Sequence, residues 1–308
     1  MKLYVQTGGI WKQLPQLLSW EVCRSQLGCD SFTARLPFDL RAQEWLLNAG
    51  EVFFSEGGEV YFRALPDEIC TAFTAAGRVT EVSGRGFAAR LLDAQVPSAE
   101  FLLAQTEDIL ERYVRPLGIR TEVCGPLPAV EGFRVESGSS CYGAVEGFLR
   151  KSAGLRPRFT ADGTLILGRE QTGRVRLVQG GYVSLRIRQN RYGVPAEIRA
   201  VTPGTGETVT VRNAHDGLLT RREVVLQSTQ PGSGAWKTPQ ERMTQALRTF
   251  LTVELTFPAR FTAEPGDVLE LLLPEEGLCG TYFVEEAVTC ADAGGEWCRV
   301  TARPERLE

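Results

Sequence analysis

Long apolar runs are missing from this 308-residue sequence. No stretch reaches the roughly 18 apolar residues a membrane-spanning helix needs, so no membrane partner is expected. The first residues, Met1-Lys2-Leu3-Tyr4-Val5-Gln6-Thr7-Gly8-Gly9, carry neither a long apolar stretch nor a cleavage site, which predicts no export leader. Excess positive charge is also missing. The net charge is -4 and the pI about 5.4, which excludes gripping of a phosphate backbone as the main activity and leaves room only for a local basic patch. Histidine is nearly absent, His215 being the only one. Eight cysteines occur, at 23, 29, 70, 124, 141, 279, 290 and 298, but no pair forms CxxC. A disulfide scaffold is a denser and shorter secreted chain, so reduced, mostly buried thiols are expected. Cys279, Cys290 and Cys298 are too widely spaced, and His215 too distant, to suggest a zinc site. The Walker pattern and GxGxxG are both missing. No metal and no cofactor is expected.

Short strands and turns fill most of the chain. The 32 glycines and 16 prolines are spread along it, as suits many tight connections. Residues 3–7 and 10–14 predict a hairpin across Gly8-Gly9. Trp20–Arg24 and Ser31–Leu36 alternate, the latter with Phe32, Ala34 and Leu36 on one face. Leu40–Leu47 predicts a short helix or an irregular crossing. Glu51–Phe54 pairs with Glu59–Ala64 around Gly57-Gly58, and Cys70–Ala75 with Arg78–Gly84 around Ala76-Gly77. The front of the chain therefore reads as an antiparallel barrel or sandwich.

The middle is different. Ser98–Val114 predicts a helix capped by Ser98, with Phe101, Leu102, Ile109, Leu110, Tyr113 and Leu117 as its apolar stripe and Pro116-Leu117-Gly118 as its stop. Ile119–Val123 and Phe133–Glu136 predict strands. Cys141–Gly154 predicts a second helix capped by Ser139 or Ser140, burying Val145, Phe148 and Leu149. Its glycines 143 and 147 suggest close packing against a neighbour. Arg158–Leu167 predicts a hairpin turning at Ala161-Asp162-Gly163. Strand patterns then resume at Arg174–Leu177, Val183–Gln189, Ala196–Val201 and Glu207–Val211. A polar linker, Ser228–Pro239, follows. A helix starts at Thr238-Pro239 and ends near Phe250. Thr252–Phe257, Asp267–Leu273, Gly280–Cys290 and Trp297–Arg303 close the chain as strands.

Catalytic signals are few. His215 stands beside Asp216, but no serine or cysteine motif supplies a nucleophile, and a turn histidine between strands is the better reading. Arg85 lies in Gly84-Arg85-Gly86-Phe87, a short glycine-rich loop that raises the question of a phosphate cradle. Carboxylate pairs for glycoside hydrolysis can be drawn anywhere among 38 acidic residues, and Glu131, Glu136, Glu275 and Glu276 look solvent-facing. Arg186 and Arg188 share one strand face, Arg174 and Arg176 another, and Arg191 and Arg199 lie close in sequence. Such a surface suits an acidic partner or a protein interface, against the plainer reading of a solvated sheet face. No aromatics are interleaved for stacking on a single strand. The tryptophans, at 11, 20, 45, 236 and 297, are scattered as core residues are.

Five segments together carry a family resemblance. Val82-Ser83-Gly84-Arg85-Gly86-Phe87-Ala88-Ala89-Arg90-Leu91-Leu92-Asp93 leaves the first β region. Ala104–Ile119 ends a helix in Arg115-Pro116-Leu117-Gly118-Ile119. Val135–Gly154 and the hairpin Phe159–Leu167 follow it. Late in the chain Phe261-Thr262-Ala263-Glu264-Pro265-Gly266-Asp267-Val268 holds a Pro-Gly-Asp turn. In these segments the sequence resembles the baseplate hub proteins of contractile phage tails and related injection particles, of the late-control-protein-D and Mu hub type. The match is best over residues 80–170. The stretch after Leu40 and the one from Thr289 to Cys298 match nothing in the family.

The resemblance implies a mainly β fold with an α/β insert: two tail-tube-like antiparallel β-barrel domains, 1–95 and 171–308, the latter with a helix near 238–250, flanking an α/β module at 96–170. It implies a non-enzymatic structural protein, a homotrimer whose pseudo-hexameric ring joins the six-fold tail tube above to the three-fold spike below. Tape-measure and baseplate-wedge proteins would be further neighbours, and DNA no more than transient cargo of the lumen. The place implied is the virion or injection particle, assembled in the bacterial cytoplasm. The hairpins Glu51–Ala64 and Val268–Leu273 are the candidate inter-subunit contacts. The rivals are a tail-associated cell-wall hydrolase, a carbohydrate-binding module and a tail adaptor other than the hub.

Overall fold

The computed structural model describes residues 1–26, 28–75, 77–168, 173–202, 205–213, 221–226, 239–258 and 261–304. The chain divides into two compact units. The first is Met1–Thr172 with Pro258–Pro265 and Glu286–Cys298; the second is Gly173–Phe257 with Gly266–Glu285 and Arg299–Glu308.

In the first unit β1 (Lys2–Thr7) and β2 (Ile10–Gln13) form the expected hairpin. β3 (Ser19–Ser25), β4 (Ser31–Pro37), α1 (Leu40–Leu47), β5 (Glu51–Glu56), β6 (Glu59–Thr74) and β7 (Gly77–Arg85) follow. Asp39 starts α1 by accepting the Ala42 N–H at 2.8 Å. The alternation in β4 sends Phe32, Ala34 and Leu36 inward, where they pack with Leu3, Val5, Phe54 and Phe62. Each such side chain contributes about 1.5–3 kcal/mol by leaving water.

The α/β module, also in the first unit, has its own core. α2 (Ala88–Asp93) leads to β8 (Ala99–Ala104), α3 (Thr106–Ile109), β9 (Thr121–Cys124), β10 (Val130–Val135), α4 (Cys141–Ala153), β11 (Arg158–Phe159) and β12 (Leu165–Gly168). The helix expected over Ser98–Val114 is only half a helix. Its first third is β8, paired antiparallel with β10 from Val130↔Ala104 to Val135↔Ala99. The cap is Gln105, not Ser98: the Gln105 N–H donates to Asp108 at 2.8 Å while Asp108 N–H bonds the Gln105 side chain. Pairing to β10 outweighs a helical periodicity that three of the six stripe residues, Ile109, Leu110 and Tyr113, do satisfy. Leu102 is 93% exposed. Leu110–Val114 widens to a π turn and Arg115–Leu117 tightens to 3-10, because Pro116 brings no N–H to the ladder.

α4 matches its expected bounds. Ser140 Oγ accepts the Gly143 N–H at 3.0 Å, and Gly154 ends the helix in the left-handed region at φ 71°. Val145, Phe148 and Leu149 are buried. Gly147 is not there for want of space: a Cβ would lie 3.7 Å from the Phe133 ring, ordinary contact. Gly147→Ala is therefore expected to stabilise the protein by about 1 kcal/mol through helix propensity, read as a higher midpoint in urea.

In the second unit β13 (Val175–Val178), β14 (Ser184–Gln189), β15 (Glu197–Val201), β16 (Thr208–Arg212), β17 (Arg222–Leu226), α5 (Pro239–Arg248), β18 (Leu251–Pro258), β19 (Val268–Leu273), β20 (Leu278–Asp292) and β21 (Gly295–Pro304) follow, β20 and β21 running on into the first unit. β17 was not expected. β16, β15 and β17 form a separate sheet on which α5 lies, burying Ile198, Ala200, Met243 and Ala246. Arg242 grips Glu223 with two hydrogen bonds of 2.7 and 2.9 Å.

The expectation of two closed antiparallel barrels is overturned. The hydrogen-bonded path runs β14-β18-β21-β20-β3-β4-β7-β6-β5-β1-β2, with β19 joined to β20 and β13 to β19, and it is open at both ends. Closure needs the first and last strands of each β region to pair with one another. Instead Glu286–Ala291 of β20 takes β3 as its partner, so the front and back of the chain share one ladder. Nor is every pairing antiparallel: β13 with β19, β12 with β9 and β15 with β17 run parallel. The mainly β character with an α/β insert stands. Among the described residues no helix is long and apolar enough to cross a membrane.

Candidate functional site

Arg85 is the residue whose glycine-flanked setting suggested an anion cradle. Its guanidinium is already taken. Nε and Nη2 bond Asp67 at 2.7 and 3.1 Å, and Nη1 and Nη2 bond Asp93 at 3.0 and 2.8 Å. These bonds hold the Asp93 carboxyl below its usual range. Two carboxylates take four of its five N–H donors and more than balance its charge, so Arg85 ties β7 to β6 and α2 rather than cradling a phosphate.

The arginines of the β strands are not gathered on one face. β13 pairs with β19 and β14 with β18, so Arg174 and Arg176 do not neighbour Arg186 and Arg188 in the ladder. Arg176 lies 3.7 Å from Asp267, Arg186 4.0 Å from Glu254, and Arg199 3.8 Å from Glu197 in the other sheet. Only β14 presents its arginines to solvent as a row.

Two other charged clusters escaped the sequence reading. Glu51 receives Arg63 at 2.5 Å and Arg90 at 2.9 Å, and both guanidinium groups lie over the Phe87 ring. Arg24 pairs with Asp30 at 2.9 Å, with only 11% and 10% of the two side chains exposed. Burial pushes the Asp30 carboxyl up, against the pull of Arg24. Nothing in the spacing of these residues announces either cluster, because their partners are 6 to 39 positions away on different elements.

His215, Asp216, Trp236 and the linker residues 228–238 lie outside the described residues. Of the other tryptophans, Trp20 is buried, Trp11 meets Phe53 edge-on at 4.7 Å, Trp45 lies under the Lys12 ammonium at 4.8 Å, and Trp297 is half-buried. None forms an exposed sugar-stacking row. Glu131, Glu136 and Glu275 are exposed as expected, whereas Glu276 is half-buried and takes the Tyr182 hydroxyl. Among the described residues no three metal-ligating side chains come together.

None of the eight cysteines is joined in a disulfide. Burial first, with nearby carboxylates, pushes Cys23 up to about 12, and burial pushes Cys29 up to about 11. Cys70 and Cys279 are exposed. An aromatic disulfide reagent at pH 8 is therefore expected to modify Cys70 and Cys279 first, with Cys23 and Cys29 reacting only on denaturation, as peptide mapping would show.

What remains as a surface for function is strand edge and exposed apolar side chain. β19 lies between β13 and β20, and β5 between β1 and β6, so the two hairpins expected to carry inter-subunit contacts sit inside the ladder. Among the described residues the edges of this long ladder are β2, β13, β14 and the outer half of β6 beyond Pro66, which pairs with β7. Exposed apolar residues stand along or beside them: Val175 and Leu177 on β13, Val183 before β14, Ile187 on it, and Phe73 on β6.

No family model and no curated protein matches the sequence. Solved structures do. The tail protein from Neisseria meningitidis MC58 superposes with a TM-score of 0.79 at 15% identity, over 99% of this chain and 96% of that one. The 43 kDa tail protein of prophage MuSo2 from Shewanella oneidensis gives 0.79 at 15%, over 98% of each chain. A component of the Escherichia coli type VI secretion system with structural similarity to the bacteriophage T4 tail proteins gp27 and gp5 gives 0.58 at 11%, over 99% of this chain and 77% of that one. The chain has the fold of phage-tail and injection-system proteins along its whole length.

Proposed function

We propose that this protein is a structural hub of a contractile tail or related injection particle. It forms a homotrimer whose ring joins the six-fold tail tube on one side to the three-fold spike on the other. The observation that carries this reading is the full-length agreement with tail proteins, 99% of this chain against 96% of the Neisseria tail protein. The open strand edges support it, since a sheet that ends in unpaired backbone calls for a neighbour. A hydrolase or a sugar-binding module gains no support: the Arg85 loop is filled by its own carboxylates, and the described tryptophans make no exposed row.

Tube and spike are the partners in this reading, with tape-measure and wedge proteins beside them, DNA passing only as cargo, and assembly in the cytoplasm before incorporation into the particle. The test is mass and symmetry. Light scattering and negative-stain images of the purified protein, alone and with the tube and spike proteins encoded beside it, are expected to show a three-fold ring that bridges the two. A stable monomer that binds neither would overturn the reading.

A further inference from the structure

The β16-β15-β17 sheet has one face under α5 and one face open. Ile198 and Ala200 of β15 are buried toward α5, so by alternation Glu197, Arg199 and Val201 point the other way. The register sets Arg212 of β16 and Arg222 of β17 on either side of Glu197, and Thr210 and Val224 on either side of Arg199. Arg199, Arg212, Arg222, Thr210 and Val224 are all exposed.

The same end of the sheet carries the turn that enters β15. There Tyr192 is 86% exposed. The turn beneath it is held at several points. The Asn190 N–H donates to the Phe250 carbonyl at 2.7 Å, and the Val194 N–H to the Arg191 carbonyl at 3.3 Å, with the Val194 side chain buried. Arg221 Nη1 donates to the Tyr192 carbonyl at 3.3 Å, and its guanidinium lies 5.7 Å from the Tyr192 ring centre. The Ala196 N–H donates to the Arg221 carbonyl at 2.7 Å, which ties the turn to the start of β17. Arg191 is exposed beside the ring.

Two carboxylates face these cations, both mostly covered. Glu223, 18% exposed, is taken by the Arg242 fork at 2.7 and 2.9 Å and has Arg221 at 3.7 Å. Glu197, 17% exposed, is shared between Arg212 at 3.3 Å and Arg199 at 3.8 Å. Glu207 stands beyond Thr208, at the other end of the sheet. Arg191, Arg199, Arg212, Arg221 and Arg222 therefore gather around one carboxylate not already held by a fork, in a chain whose net charge is -4. Like charges this close repel one another, and an acidic neighbour relieves the repulsion.

We propose that this end of the sheet docks an acidic segment of a partner protein, its carboxylates on the arginines and an apolar side chain against Tyr192. A guanidinium fork fits a carboxylate in two parallel bonds, as Arg242 does for Glu223. Exposed tyrosine and arginine are also the residue types that dominate binding energy at protein interfaces. Nucleic acid fits less well, because one tyrosine is no stacking platform and the chain as a whole is negative. Such docking goes beyond the hub reading and needs no ring.

The test is fluorescence anisotropy of the full chain with a labelled dodecapeptide of glutamate and leucine. The controls are the same peptide with glutamine for glutamate and an oligothymidylate of equal length. The acidic peptide is expected to bind at least about tenfold more tightly than either control, and more weakly as salt rises. The pair Arg199→Gln, Arg222→Gln and, separately, Tyr192→Ala should each lower its affinity at least about tenfold. Their urea midpoints should stay with the parent's, because these side chains are exposed. The pair Arg199→Lys, Arg222→Lys keeps the charge, loses the fork and should fall between. Acidic-peptide binding that the variants leave untouched, or no tighter than that of the glutamine peptide, would overturn the proposal. So would oligothymidylate bound as tightly, which would make the surface one for nucleic acid. An oligomer that the arginine variants dissociate in light scattering would make the occupant a second copy and overturn it too. A monomer that still takes the acidic peptide would remove the ring and leave this docking site standing.

Discussion

Asp30→Ala is expected to destabilise the first unit by about 3–5 kcal/mol. Arg24 is the reason. Its Nε donates to Asp30 Oδ2 at 2.9 Å, its Nη2 donates to the Phe159 carbonyl at 3.0 Å, and its guanidinium lies 5.8 Å from the Phe62 ring centre. Removing the carboxylate leaves that cation buried with a single carbonyl as acceptor. It also orphans the Ser25 N–H, which donates to Asp30 Oδ1 at 2.9 Å. The Asp30 carbonyl, which accepts the Gly86 N–H at 2.7 Å, survives the substitution, so the backbone turn itself is kept. The double variant Arg24→Met, Asp30→Leu separates charge from packing. With both charges gone the cost should fall to about 1–3 kcal/mol, the penalty of the Ser25 N–H and the Phe159 carbonyl losing these side-chain partners. Urea unfolding of the single and double variants measures both. A double variant no more stable than Asp30→Ala would show that the stranded cation is not the cause.

That pair also shows where the sequence stops being informative. Strand alternation in Ser31–Leu36, the glycine turns at 8–9 and 57–58, and the Ser140 and Gly154 ends of α4 are local signals, written within a few residues of the structure they produce. The helix expected from Ser98 failed because β8 is decided by β10, some 30 residues on, and local periodicity does not contain that choice. The closed barrels failed for the same kind of reason on a longer scale. The β20 to β3 pairing, between residues 286–291 and 20–25, runs the ladder from one β region into the other, and no short stretch of sequence contains that choice. The Pro265-Gly266-Asp267 turn was legible, but its reason is tertiary: Asp267 accepts the Arg174 N–H at 3.0 Å, and a Cβ at position 173 would lie 2.1 Å from the Gly266 carbonyl oxygen, so the turn packs against a glycine.

For the candidate surface the sequence left two readings. The plainer one for the arginines on Val183–Gln189 was a solvated sheet face and the other an interface, and β14 is an edge strand with those arginines exposed, which fits either. The hairpins Glu51–Ala64 and Val268–Leu273 were attractive because they are apolar, yet an apolar strand is what a ladder interior requires. Edges tolerate charge and need it to stay soluble, so the mixed Ser-Leu-Arg-Ile-Arg-Gln of β14 is the more telling composition.

Gly84→Ala is expected to cost about 3 kcal/mol or more, and to loosen the β6 edge with it. Gly84 sits in β7 opposite Phe32 of β4 and Pro66 of β6. A Cβ there would lie 2.0 Å from the Leu65 carbonyl oxygen and 2.7 Å from Cε1 of Phe32. The ring can turn; the carbonyl belongs to a strand held on both sides and cannot give by the angstrom needed. Relief has to come from shifting β6 at its register irregularity between Pro66 and Glu68, where the strand passes from its β5 partner to its free edge. Gly50→Ala, with open space around its Cβ, should stay within about 0.5 kcal/mol of the parent. Hydrogen exchange then locates the damage: amides of Leu65–Thr74 and Gly77–Arg85 should lose protection in Gly84→Ala while those of α4 keep theirs. A Gly84→Ala protein as stable as the Gly50→Ala control, with β6 still protected, would mean that β6 yields freely at its irregularity and that the glycine is not required by packing.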